Sequence, residues 1–73
     1  MTKKELIEQL EDMLMLESGE LELEKELESY EDWDSMGYLS LIALFDSKLN
    51  KKLDIATIKG FKTPNDIINH AGL

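Results

Sequence analysis

The sequence predicts an all-α protein, a small bundle of three main helices plus a short one, with a long first loop. Three observations predict it. Apolar residues recur at helical spacing, helix-capping residues stand at the head of each such stretch, and no period-two alternation appears anywhere in the 73 residues.

Thr2-Lys3-Lys4-Glu5 has the form of a capping box. The Thr2 hydroxyl is placed to accept from the amide three residues on, and Glu5 to reach back to the cap amide. Leu6, Ile7, Leu10, Met13 and Leu14 follow on one face, predicting a first helix over about 3–16 that Ser18-Gly19 ends. Residues 17–33 are charged, with scattered leucines, Tyr30 and Trp33, and read as a long, partly ordered loop. Within it Glu20, Glu22, Glu24, Glu26 and Glu28 alternate with Leu21, Leu23, Lys25 and Leu27, so its leucines are placed to tack it to a core. Asp34 is suited to cap a second helix over about 35–49, roughly 22 Å long at 1.5 Å per residue. Asn50-Lys51-Lys52 is a turn, and Asp54 caps a short helix from Ile55 to Lys59 that Gly60 stops. Thr63-Pro64-Asn65-Asp66 is a second capping box with proline at the favoured first position. Ile67, Ile68 and Ala71 form the last helix, closed by Gly72.

The length allows one domain, residues 1–73, which buries only about 60% of the surface its unfolded chain exposes. That leaves little material for a deep, many-walled catalytic cleft and argues against an enzyme. The absence of cysteine removes disulfides, zinc-thiolate sites and thiol nucleophiles, and a single histidine removes His-pair metal sites. No apolar run approaches the roughly 18–20 residues that span a bilayer, and no signal-peptide pattern is present, so the expectation is a cytoplasmic protein with no stable membrane insertion. Charge is unevenly placed. Residues 1–34 hold 13 acidic residues against 3 lysines; residues 35–73 hold 3 against 5, and the switch falls at Asp34-Ser35. A net charge of −8 disfavours nucleic acid and favours partners with a basic surface.

The second helix is apolar beyond the needs of one face. Tyr38, Leu41, Ile42, Phe45 and Leu49 make a core stripe. Met36, Leu39 and Ala43 make a second ridge, which so short a chain has little left to cover. Either the helix is central and surrounded, or the ridge stays open for docking.

Asp34-Ser35-Met36 opens this helix, after a long acidic loop and at the charge switch. With that layout of helices, Trp33-Asp34-Ser35-Met36-Gly37 resembles the attachment region of the acyl carrier proteins, whose motif is Asp-Ser-Leu at the head of an apolar helix. The likeness covers the whole chain. It implies a carrier-type bundle and a 4′-phosphopantetheine arm joined to Ser35 through a phosphodiester, with an acyl or aminoacyl thioester on the terminal thiol. A cysteine-free chain handles thioesters only through such an imported thiol. The phosphodiester would meet the unsatisfied amides and positive dipole of a helix N-terminus. No histidine or lysine is placed to activate the serine, so a separate phosphopantetheinyl transferase would do that chemistry; the resemblance further implies a loading ligase and acyltransferases as partners, and a monomer.

Acidic residues line the helix after the serine in the fatty-acid members of that family. Here the matching positions are Gly37, Ser40, Asp46, Ser47 and Lys48, and only Asp46 keeps the charge. This points away from fatty acid biosynthesis enzymes and toward dedicated partners that read Asp34, Met36, Leu39, Ala43 and Asp46. Asp34-Ser35-Met36-Gly37 and the stretch Phe61–Asn65 also look like D-alanyl carrier proteins of cell-wall modification, and Trp33-Asp34-Ser35 like carriers in surface-polysaccharide decoration. A non-covalent acidic helical interaction module is the reading from another class.

Other signals carry less. Asp32–Gly37 superficially resembles the start of a calcium loop, but Met36 falls at its fifth position and Ala43 at its twelfth, where a bidentate Glu is required. His70 reads as a surface residue of the last helical turn, Trp33 as a staple against the second helix, and Lys51-Lys52 as too short for a nucleic-acid patch. Tyr38 and Phe45 on the inner stripe predict a small or polar cargo, or one held outside the bundle.

Overall fold

The first three α-helices begin where a side chain takes an amide that has no partner in the helical ladder, and at the fourth a carboxylate reaches back to the amides just before it. In the computed structural model, which describes residues 1–73, Thr2 Oγ1 accepts from the Glu5 amide at 3.2 Å and Glu5 Oε1 from the Thr2 amide at 3.1 Å. That box opens α1 (Lys3–Met13). The same hydrogen bonding holds the Glu5 carboxyl below its ordinary pKa. Asp34 opens α2 (Ser35–Leu49), and Asp54 Oδ1, 2.7 Å from the Thr57 amide, opens α3 (Ile55–Lys59). The Thr57 bonds likewise lower the Asp54 pKa. Asp66 Oδ2 accepts the Lys62 and Thr63 amides at the head of α4 (Pro64–Ala71). One turn of 3₁₀ helix, Leu27–Ser29, interrupts the first loop. There is no strand.

The first helix is shorter than its apolar pattern. It stops at Met13 because Met15 turns left-handed at φ 61°. The Met15 amide then bonds the Asp12 carbonyl and the Leu16 amide the Glu11 carbonyl. This is a Schellman ending with methionine where glycine is usual. Ser18-Gly19 belongs to the following turn.

Burial follows from these directions. Leu6, Leu10 and Leu14 of the first helix and its end meet Leu41 and Phe45 of α2, Leu53 and Ile58 around α3, and Ile67, Ile68 and Ala71 of α4 in one core. Helix α1 packs against α4. Loop residues Leu27 and Tyr30 complete the core, with Leu27 fully buried and Tyr30 nearly so.

The first loop is therefore part of the packing. The Leu27 amide donates to the Lys62 carbonyl at 2.8 Å, and the Asn65 amide to the Leu23 carbonyl at 3.0 Å, tying the loop to the α3–α4 connection. Glu11, itself buried, accepts the Gly19 and Leu21 amides on Oε2. The Tyr30 hydroxyl lies 3.2 Å from the Glu22 amide, and the Lys25 ammonium sits 4.8 Å from the centre of the Tyr30 ring. No helix is long and apolar enough to cross a membrane.

Candidate functional site

The chain approaches Ser35 along a tightly held path. Tyr30 is anchored in the core; its carbonyl accepts the Trp33 amide at 3.2 Å, and the Asp32 carbonyl accepts the Asp34 amide at 3.1 Å. Asp34 then caps α2. Its Oδ1 accepts the Met36 amide at 3.1 Å and the Gly37 amide at 3.2 Å, and its backbone carbonyl accepts the Tyr38 amide at 2.9 Å.

Gly37 is buried because this turn lies against it. A Cβ at that position would stand 3.0 Å from the Asp32 carbonyl oxygen, closer than most such atoms approach. The glycine that weakens the helical pattern of the sequence is thus the residue that lets the preceding turn close over the first turn of α2.

Trp33 immediately precedes the Asp34 cap, and Tyr38 is the fourth residue of α2. These are the two positions of a hydrophobic staple. The two rings meet edge to face, with centroids 5.2 Å apart at 71°. Trp33 therefore acts as the staple that its sequence position suggests. Tyr38 meets the Trp33 ring at the margin of the core, against which both residues pack. Tyr38, Ile42 and Leu49 are only half-buried, and Leu41 and Phe45 alone of the five are sealed.

Ser35 itself is exposed. The expectation that an anion here meets unsatisfied amides needs correction. Asp34 occupies the Met36 and Gly37 amides and its carbonyl takes that of Tyr38, which leaves only the Ser35 amide among the first four of the helix. Asp34 also adds a negative charge beside the hydroxyl, so helix-end electrostatics give an attached phosphodiester less support than the sequence suggests.

The outer ridge of α2 is open. Met36 is 72% exposed, Leu39 56%, and Ala43 is exposed with them. Leu39, Ile42, Ala43 and Leu53, with Asp46 and Lys52, line a surface groove of about 320 Å³ between α2 and the segment leading to α3. Of the docking residues expected from sequence, Leu39, Ala43 and Asp46 therefore come together on this groove. Met36 is on the exposed ridge, and Asp34 is turned onto its own helix.

His70 lies elsewhere. Its ring is 6.0 Å from that of Phe45 and 5.4 Å from that of Phe61, and Phe45 is ten residues, about 15 Å, along α2 from Ser35. No three His, Asp or Glu side chains gather in an arrangement that holds a metal ion. Sequence reasoning misses Glu11 and the close approach at Gly37. The first has no signal beyond its place beside the apolar face of α1; the second is signalled by a glycine early in an otherwise strong helix. Compared with known proteins, the chain matches no family model, no curated protein and no solved structure.

Proposed function

We propose that the chain is an acyl-carrier-type protein of the cytoplasm whose Ser35 receives a 4′-phosphopantetheine arm and whose partners load and unload an acyl or aminoacyl thioester on it. The observation that carries this reading is an exposed serine at the first position of α2, on a rigidly capped turn, next to an exposed apolar ridge. Capping is done by Asp34, so the Ser35 hydroxyl is free for covalent use. The arm would supply the thiol that this chain lacks. The chain's own part is to hold Ser35 outward and offer Met36, Leu39 and Ala43 to partner enzymes, which perform the chemistry. A D-alanyl or surface-polysaccharide pathway suits α2, whose only charges are Asp46 and Lys48, better than fatty acid biosynthesis.

The exposed ridge also favours a second reading, a non-covalent interaction module. Intact mass after co-expression with a phosphopantetheinyl transferase separates the two. The carrier gains the mass of one arm and Ser35→Ala does not, while its far-UV helicity stays that of the parent. An unmodified parent chain, or a modified Ser35→Ala variant, overturns the assignment.

A further inference from the structure

We propose that the Trp33–Tyr38 pair is the binding flank for the arm on Ser35, an inference that rests on the carrier reading. Side chains of a helix lean toward its N-terminus, and Tyr38 is three residues after Ser35, so the two share one face of the first turns of α2. The Trp33 and Tyr38 rings meet edge to face with centroids 5.2 Å apart. Both residues are half-buried, so part of each side chain stays in contact with solvent.

A staple needs only apolar contact, yet both rings carry a hydrogen-bond donor. The side-chain hydrogen bonds around this turn are made by Asp34 and Tyr30; neither the Trp33 indole N–H nor the Tyr38 hydroxyl takes part in them. No buried polar atom lacks a partner, so both donors reach the surface. Two aromatic faces with free donors beside an attachment point suit an acceptor-rich chain such as a phosphodiester followed by amides. Gly37 lets the turn that carries Trp33 close onto the helix that carries Tyr38, since a Cβ there would stand 3.0 Å from the Asp32 carbonyl oxygen.

Trp33 is the only tryptophan, which makes the test direct. Apo protein and protein loaded on Ser35 from coenzyme A are compared by acrylamide quenching of tryptophan emission and by the indole ¹H–¹⁵N resonance. Loading should shift the indole resonance, lower acrylamide quenching as the arm covers exposed ring surface, and give contacts between the ring protons and the arm's methyl groups. Tyr38→Phe, which keeps the ring and removes the hydroxyl, should weaken these changes. A loaded protein whose indole signal and quenching equal those of the apo form overturns the inference and leaves the carrier reading standing. A chain that cannot be loaded ends both.

Discussion

The buried carboxylate of Glu11 accepts the Gly19 amide at 2.7 Å, so the first helix holds the turn that begins the long loop. The Leu21 amide, at 3.1 Å, shares the same oxygen. Glu11→Ala leaves both amides without this partner and should cost about 1.5–3 kcal/mol, the range for hydrogen bonds to charged groups. Glu11→Gln keeps an acceptor and should cost less. Urea denaturation of the three proteins checks the order; equal stability would mean that water replaces the carboxylate without loss.

Met15 holds φ 61° at the end of α1 and is 78% exposed. A side chain in the left-handed region costs about 1–2 kcal/mol, and this one has little burial to lose. Met15→Gly should therefore raise the denaturation midpoint, by an amount reduced by glycine's greater freedom in the unfolded chain. A lower midpoint would show that the Met15 side chain contributes more than its exposure suggests.

The caps are legible in the sequence because they are local. Thr2, Asp34, Asp54 and the Thr63-Pro64 step each act within three residues, and all four helix starts follow from them. The loop is not, because what orders it lies far along the chain: Leu27 on Lys62, Leu23 on Asn65, Glu11 on Gly19. Tyr38 departs from its expected burial. Helical spacing puts it on the inner stripe; it packs against the core but stays half-buried, with its ring against that of Trp33 from outside the helix. At the candidate site, Ser35 and the open ridge are readable from the pattern of α2. The occupied amides are not, since they depend on the direction of the Asp34 carboxylate.

Leu39 and Leu41 are two residues apart and differ in exposure, 56% against 0%. Leu41→Ala removes buried volume and should cost about 2–5 kcal/mol. Leu39→Glu should leave stability nearly unchanged and, on the proposed carrier reading, impair loading and transfer by partner enzymes. Thermal melts and a transferase assay on both variants check this. If Leu39→Glu unfolds the protein as badly as Leu41→Ala, the ridge belongs to the core.

On the proposed carrier reading, cargo size follows from where apolar space remains. Phe45 fills the middle of the bundle with no exposure, and the concavities of the surface all open to solvent. Interiors pack to about 0.75 density, so a long acyl chain entering the core would have to displace Phe45 or its neighbours. The half-buried Tyr38 weakens the expectation that two rings block the interior, but Phe45 alone still occupies its centre. The apolar room that does exist is the groove of Leu39, Ile42, Ala43 and Leu53. Each methylene moved from water onto such a surface gains at most about 0.8 kcal/mol, and less in an open groove than in a closed one. A small or polar cargo, or one lying outside the bundle, is the expected load. With a long saturated acyl chain on the loaded protein, amide shifts should gather at Leu39, Ile42, Ala43 and Leu53, with little rise in thermal midpoint. Large shifts at Phe45 and Ile67 together with a clear rise in midpoint would place the chain inside the core and refute the prediction.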